Sequence, residues 1–278
     1  MRLLKNILVF IGCVVFTSCT SSLADTYGKE ISSLRTQEEI DAYWKELERI
    51  DQEILVGKEH TTAVYDSISI SNMIRVALLF EVPEKESFHQ KGPVPVVALS
   101  HNFNKDAAIA YWPVIVKCAE KGGAIDQIGY PSYPLEAISM TFYGYSLFDQ
   151  DERYSDLVRK LNKSSGGFVL SQLELAFKKE KRLQSLTETK SIGVWHIEAT
   201  KNEKSKEVFE FVQMSDDAIY KKSKGRIQKL VVSKTTDTAI IYKIENEPFD
   251  WYYQLEETGD LILFDQHDKE LIAYTKVN

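Results

Sequence analysis

The chain has 278 residues, of which 44% are hydrophobic, a combination that predicts about two globular domains and excludes a disordered protein. Its formal net charge is −7 and it has no basic stripe, which argues against nucleic acid as a partner because phosphate backbones are bound through clustered Lys and Arg. The densest basic run, KKEKR at 178–182, contains a glutamate within a helical pattern and is interpreted as a solvated helix face.

Residues 1–18 are predicted to be a signal peptide. Arg2 and Lys5 precede an apolar run from 7 to 16, which is too short to cross a bilayer because a spanning helix needs about 20 residues. The run ends at Ser18-Cys19, which resembles the lipobox recognised by lipoprotein signal peptidase. The resemblance implies that Cys19 is diacylated with palmitate-type chains and becomes the first residue of the mature protein. The alternative is a plain secretory signal peptide that is cut after Ser18.

An acylated Cys19 would anchor the protein in a membrane, because each buried methylene contributes about 0.8 kcal/mol. Thr20 follows Cys19, whereas by analogy to lipoprotein sorting an Asp would favour the inner membrane. We therefore expect the outer membrane, facing the periplasm. Loss of Arg2 and Lys5 with the signal peptide would lower the net charge by two more, to −9. Cys118 would remain as a single free cysteine, without a disulfide partner, and is expected to fill core space.

Residues 19–35 are polar and are predicted to be a tether, and residues 36–187 are predicted to form a helical domain. Thr36 and Glu39 have the spacing of a capping box, after which apolar residues recur at helical spacing for about 18 residues. Further helices are predicted over 69–80, 105–121, 133–143, 151–161 and 167–186. Pro113 either kinks the helix at 105–121 or starts a second one. The last helix is expected to bury Val169, Leu173, Leu175 and Phe177.

Residues 188–278 are predicted to form an antiparallel β-meander that closes as a barrel, so the predicted fold class is α+β. Seven short β-rich runs are separated by turn residues, at 193–199, 207–214, 227–233, 239–244, 251–256, 261–265 and 271–277. The aromatic run at 249–253 either lines a barrel mouth or, since alternate residues of a strand face inward, fills the core.

The strand series begins with Gly193-Val194-Trp195 and ends with Tyr274-Thr275-Lys276. This G-x-W opening with a closing cation resembles lipocalin-like small barrels. The resemblance implies that Trp195 packs beneath the barrel under the ammonium group of Lys276, a contact that contributes about 0.5–2 kcal/mol.

Several short motifs lie along the helical part, between residues 44 and 145. They are Trp44, Ile50-Asp51-Gln52, Val82-Pro83, Ser100-His101-Asn102, Trp112-Pro113 and the segment from Cys118 to Gly122. Together they resemble an uncharacterised bacterial family, domain-of-unknown-function family 6624, which shows an Asp-Gln pair, a proline turn and a histidine motif. That family has no established reaction that could be transferred to this chain.

If the helical domain has a polar site, the candidate residues are Asp51, Gln52 and His101. A carboxylate beside an imidazole can fix its tautomer and make it a general base. The structural alternative is that Asp51 and His101 form a buried hydrogen bond, or do not meet. No metal site and no cofactor are expected, because the five histidines lack ligand spacing and no nucleotide-binding or nucleophile motif occurs.

The sequence therefore favours a membrane-anchored envelope lipoprotein without enzymatic activity. Its barrel would bind a small apolar ligand or an envelope protein. The alternative is a hydrolase-type enzyme that uses Asp51 and His101. A barrel interior filled with side chains would disfavour the ligand and leave protein–protein contact.

Overall fold

The computed structural model describes residues 22–53, 62–81, 94–120, 132–143, 147, 153–162, 169–197, 208–223, 226–245 and 250–277. Helices come first and a closed antiparallel barrel follows, which confirms the predicted α+β class. The predicted signal peptide and Cys19 lie outside the described residues. The helices are α1 (Leu23–Ser33), α2 (Gln37–Glu53), α3 (Thr62–Glu81), α4 (Val94–Ser100), α5 (Lys105–Glu120), α6 (Ser132–Tyr143), α7 (Tyr154–Asn162) and α8 (Val169–Ser185). The strands are β1 (Glu188–Ile197), β2 (Val208–Met214), β3 (Ile219–Ser223), β4 (Arg226–Thr235), β5 (Ala239–Ile244), β6 (Tyr252–Glu256), β7 (Leu261–Phe264) and β8 (Glu270–Lys276).

Helix α1 shows that the predicted tether over 19–35 is wrong for most of its length. Ser22 is the N-cap of this helix: its hydroxyl accepts from the backbone N–H of Asp25 at 3.0 Å, and the Asp25 carboxylate accepts from the N–H of Ser22 at 3.3 Å. Tyr27 and Ile31 are buried in the helical core. Leu23 and Ala24 are partly buried against the same core, but polar residues make up most of the segment, so its short apolar stripe is not distinctive in a sequence.

Tyr27 fixes α1 on α3 through two further contacts. Its hydroxyl lies 2.6 Å from Oγ of Ser71, and the guanidinium of Arg75 lies 3.9 Å from the centre of its ring. Helix α1 is therefore part of the folded domain.

Helix α2 forms as its sequence predicts. The Thr36 hydroxyl accepts from the N–H of Glu39 at 3.2 Å, and the Glu39 carboxylate accepts from the N–H of Thr36 at 3.0 Å, which confirms the capping box. The buried residues of α2 recur at helical spacing and include one carboxylate: Ile40, Trp44, Leu47 and Asp51.

Helix α3 is the centre of the helical domain, with α1, α2, α4, α5 and α8 packed around it. Within the described part of the chain, its stretch Ala63–Phe80 is the one helical segment long and apolar enough to cross a membrane. Other elements of the protein bury 61% of this stretch, as is typical of a core helix.

Two helices settle details that the sequence leaves open or predicts wrongly. Helix α5 continues through Pro113 as a single helix. In α8 the prediction for Leu175 is wrong, because 70% of this residue is exposed. Leu175 lies two positions after Leu173, a rotation of about 200° around the helix, which places it opposite the core. The buried residues of α8 are Val169, Leu173, Ala176 and Glu180.

The barrel contains eight strands, each antiparallel to the next, and β8 pairs with β1 to close it. The sequence predicts seven strands and misses β3, which has five residues, includes Lys221 and Lys222, and follows β2 after a four-residue turn. Strand β1 also begins earlier than predicted, at Glu188. Two residues separate it from the end of α8 at Ser185.

Aromatic side chains fill the described interior of the barrel. Phe209 lies 4.7 Å from Tyr274, and Phe211 lies 5.1 Å from Trp195, measured between ring centroids. Aromatic rings at these separations gain contact energy beyond simple burial. The remaining buried members of this core are Leu230, Tyr242, Tyr253, Leu261 and Leu263.

A close steric contact explains the glycine of the G-x-W motif. The indole of Trp195 lies over Gly193, where an added Cβ would come within 2.4 Å of the ring. The indole N–H donates to the carbonyl of Gly259 at 3.0 Å. Gly259 has a φ of +89°, a conformation that favours glycine.

Trp195 and Lys276 are directly opposite each other on β1 and β8. The Nζ of Lys276 lies 3.1 Å from the position that a Cβ of Gly259 would occupy. In the described part of the barrel, the cation that lies over aromatic rings is that of Lys221, above Phe209 and Tyr253. The expectation that Lys276 lies over the indole is therefore wrong. Lys276 instead lies beside Gly259, whose carbonyl accepts the indole N–H.

The helical domain packs against one outer side of the barrel. Leu183 of α8 and Leu186 just after it contact a small apolar cluster on β2 and β3, formed by Val212, Met214 and Tyr220. At the same junction the guanidinium of Arg182 lies 3.8 Å from the carboxylate of Asp216. Val212, Met214 and Tyr220 point away from the barrel interior, so the helical domain supplies their burial.

We predict that Gly193→Ala lowers the free energy of unfolding by about 1–3 kcal/mol, because the new methyl group overlaps the indole of Trp195. Chemical denaturation followed by tryptophan fluorescence measures the change. Gly28→Ala is the matched control, since nothing lies within 4 Å of its added Cβ and alanine is about 0.5–1 kcal/mol better than glycine inside a helix. Equal stability of the two variants would contradict the packing of the G-x-W motif.

Candidate functional site

The structure brings Asp51 and His101 together. Nδ1 of His101 lies 2.8 Å from Oδ2 of Asp51, so the imidazole N–H donates to the carboxylate. Asp51 is 1% exposed and the side chain of His101 is 21% exposed. A buried carboxylate thus holds a partly accessible imidazole in a fixed orientation through its Nδ1 atom.

The other residues suggested by the sequence have different contacts. The Gln52 amide donates to Oδ2 of Asp51 at 3.2 Å, so Gln52 supports the carboxylate. The Ser100 hydroxyl donates to the carbonyl of Val96 at 3.0 Å rather than to the imidazole, so adjacency in sequence does not create a Ser–His pair. Cys118 is buried in α5, as expected of a core residue.

Side chains from two helices fix the backbone of the turn that carries His101. The Ser69 hydroxyl of α3 donates to the carbonyl of His101 at 3.3 Å, and the Thr141 hydroxyl of α6 donates to the carbonyl of Asn102 at 3.0 Å. The buried carboxylate of Asp66 accepts the N–H of Phe103 at 2.7 Å. These contacts hold the turn and, with it, the orientation of the imidazole.

Asn104 ends the same turn and begins α5. Its side-chain oxygen accepts the N–H of Ala107 at 3.0 Å, as an N-cap does, and its amide donates to the buried Glu180 carboxylate of α8 at 2.7 Å. Burial raises the pKa of Glu180 above its usual value of 4.5, although the hydrogen bond from Asn104 opposes this effect. From the sequence of the run 178–182, Glu180 is expected on a solvated helix face. Its position seven residues after Leu173 on the apolar stripe is the signal that could have identified it.

Two buried polar atoms near the Asp51–His101 pair have no hydrogen-bond partner among the described residues. They are Oδ1 of Asp51 and the hydroxyl of Tyr111. Burial raises the pKa of Tyr111, and the charges of Cys118 and Asp51 raise it further, which places the phenol within electrostatic reach of the carboxylate. Sequence reasoning missed Tyr111 because an aromatic residue in a helical pattern indicates core packing.

Within the described residues, no group of three or more His, Cys, Asp or Glu side chains is arranged to hold a metal ion. Comparisons of the chain with family models, curated proteins and solved structures found no significant match. The resemblances to domain-of-unknown-function family 6624 and to lipocalin-like barrels therefore remain predictions from the residues that carry them.

We predict that Asp51 and His101 are energetically coupled. In a double-mutant cycle of Asp51→Ala and His101→Ala, the double variant loses about 1–3 kcal/mol less stability than the two single losses added together. The reason is that either single change leaves the other member of a buried pair without its main partner. Denaturant unfolding measures the four proteins. The exposed pair of Glu46 and Arg49 is the control, with an expected coupling that is much smaller. Additive losses at Asp51 and His101 would contradict the pairing.

We predict that Glu180→Gln stabilises the protein at neutral pH. A carboxyl whose pKa is raised on folding contributes stability below pH 4.5, and this contribution is lost as pH rises through the folded-state pKa. Glutamine keeps an acceptor for Asn104 and removes the buried charge. Unfolding midpoints at pH 5 and pH 8 should show a shallower fall for Glu180→Gln than for the parent. A parallel fall would show that Glu180 is solvated.

Proposed function

We propose that this chain is an envelope lipoprotein, anchored through acylated Cys19 in the outer membrane and facing the periplasm, whose barrel binds a partner protein. The short apolar run, the position of Cys19 and the following Thr20 support the proposed anchor and location. Two features of the barrel support the kind of partner: its interior packing and its outer face.

The interior packing favours a protein partner over an internal apolar ligand. Trp195, Phe211 and Leu261 are fully buried, and their neighbours in the same core are nearly so. A ligand cavity needs a volume of about 300 Å³ or more that is free of side chains. Rings that contact one another across the described interior occupy the space that such a ligand would need.

The outer face of β6, β7 and β8 carries several apolar side chains. Leu271 and Ala273 are exposed on β8, and Ala273 is paired with Ile262 of β7. Tyr252 and Phe264 are paired on β6 and β7, and their rings stack with centroids 5.2 Å apart. These residues alternate with interior residues, so their side chains point outward. We call this surface the β6–β8 face, and it is the observation that carries the proposal, since apolar patches on an outer surface mark interaction sites.

A hydrolase-type enzyme is the second candidate, favoured by the 2.8 Å contact between His101 and Asp51. In this function His101 is the general base that takes a proton from water, and Asp51 is the positioning residue that fixes its tautomer. The Ser100 hydroxyl donates to the carbonyl of Val96, so a water nucleophile is the form of hydrolysis that the geometry supports.

We predict that a photo-crosslinking residue at Leu271 of the membrane-bound protein forms one discrete adduct with a partner. The same residue at Lys234 is the matched control, because it is exposed on β4, across the eight-stranded ring from β8. His101→Ala should leave the adduct unchanged under the binding proposal. Mass spectrometry of the same purified protein should show fatty acyl groups on Cys19.

Three outcomes would oppose this proposal. Equal crosslinking at Leu271 and Lys234, or none at either position, would remove the β6–β8 face as a binding surface. A thiol without acyl groups at Cys19 in protein from an acylating bacterial host would remove the anchor. Hydrolysis by the parent that His101→Ala abolishes, without loss of folding, would establish the second candidate in its place.

A further inference from the structure

The predicted anchor lies very close to the folded domain. Helix α1 begins at Leu23 with Ser22 as its cap, so three residue steps separate Cys19 from Ser22. An extended chain covers at most about 3.6 Å per residue, which limits the separation to about 11 Å. A protein held this closely must have one side next to the lipid headgroups.

A hydrogen bond identifies which part of the domain is next to the anchor. The backbone N–H of Ala24, in the first turn of α1, donates to Oε1 of Glu174 at 2.8 Å. Glu174 lies in the first half of α8, so the outer surface of α8 begins beside the point where the chain leaves toward Cys19. Leu175, the next residue, is 70% exposed.

The outer surface of α8 carries basic residues and one exposed apolar residue, Leu175. Ser171, Leu175, Lys178 and Arg182 follow one another at steps of four, three and four, on the side opposite the buried Leu173 and Ala176. Lys179 and Lys181 flank this stripe and are exposed. We call this surface the α8 face.

Burial of Glu180 makes the charge of the α8 face uniform. In the sequence, the run 178–182 mixes four cations with one glutamate, but the carboxylate of Glu180 turns inward to Asn104. The four cations therefore remain outside while the anion is removed from the surface. This is a local excess of positive charge on a chain whose net charge is −7 before processing.

Nearby carboxylates only partly offset these cations. Asp106 lies 3.9 Å from Nζ of Lys179, and Asp216 lies 3.8 Å from the guanidinium of Arg182, both at the limit of an ion pair. The carboxylates of Asp25 and Glu174 accept backbone N–H groups at the start of α1 and keep their negative charges there, so the excess of cations lies further along α8, at 178–182.

We infer that the α8 face lies on anionic phospholipid headgroups of the bilayer that holds Cys19, with Leu175 inserted at headgroup level. The inference rests on the lipid anchor of the proposed function. Lysine and arginine near an anionic membrane surface each contribute favourably, and an exposed leucine among them adds apolar contact. Occupancy by lipid fits the length of the connection and the sign of the charge, whereas an acidic partner protein would explain only the charge.

This orientation also determines the position of the β6–β8 face relative to the membrane. The α8 end of the helical domain packs on β2 and β3, and β6 and β7 lie across an eight-stranded ring from those strands. With α8 along the membrane, β6 and β7 of the β6–β8 face lie on the side of the barrel away from the helical domain, where a partner can approach them.

The test uses the mature chain, residues 19–278, with Cys19→Ala so that no acyl chain contributes to binding. Sedimentation with vesicles of phosphatidylcholine containing about one third phosphatidylglycerol should pellet the protein, and pure phosphatidylcholine vesicles should not, because the attraction is electrostatic. Lys178→Glu with Lys181→Glu should weaken binding at least tenfold. Leu175→Ser should weaken it less.

Two matched controls accompany these variants. Lys234→Glu with Lys269→Glu makes the same change in net charge on the barrel, and Leu271→Ser removes an exposed leucine from the β6–β8 face. Both controls should bind as the parent does, and thermal unfolding should show that every variant is folded.

The inference is overturned if the parent does not bind anionic vesicles, if it binds both vesicle types equally, or if the control charge reversals weaken binding as much as the α8 variants. Failure of the anchor is a separate result, seen by mass spectrometry as a Cys19 without acyl groups. The two failures are therefore distinguishable.

Discussion

Helix α8 belongs to two hydrophobic cores, and the arrangement of the helices and the barrel depends on this sharing. Leu173 packs in the helical core, whereas Leu183 and Leu186 pack on the outer side of β2 and β3. Thr187 is the single residue between Leu186 and the start of β1 at Glu188. Because α8 packs in the helical core at one end and on the barrel at the other, the chain connects its domains through packing rather than through a flexible linker.

Periodicity predicts the elements that bury a long stripe or alternate regularly, and fails where burial is local. Helix α2 is predicted with its cap because its stripe runs for its whole length and Thr36 carries the capping signal. Helix α1 is missed since two buried residues in eleven do not make a pattern. Strand β3 is missed because its lysines follow a tight turn, and its identity as a strand depends on the neighbours that close the ring.

The candidate site is predictable in Asp51, Gln52 and His101, but not in the residues that distant helices bring to it. Asp51 lies on the apolar stripe of α2, where a carboxylate is unusual enough to predict a specific partner, and His101 is the partner that the structure supplies. The contributions of Tyr111 and Glu180 depend on which atoms of distant helices meet. Seventy-six residues separate Asn104 from Glu180, and no local spacing encodes that contact.

The two domains treat buried polar groups differently, and this difference separates the two candidate functions. In the barrel, the buried N–H of Trp195 has a partner in the carbonyl of Gly259. In the helical domain, Oδ1 of Asp51 and the hydroxyl of Tyr111 have none among the described residues, and each such atom costs about 1–3 kcal/mol. A purely structural pair gains nothing from this cost, since apolar side chains of similar size would pack without it. A polar group that supplies the missing hydrogen bonds would offset it. The second candidate function therefore depends on the polar interior of the helical domain, whereas the proposed binding function depends on the outside of the barrel.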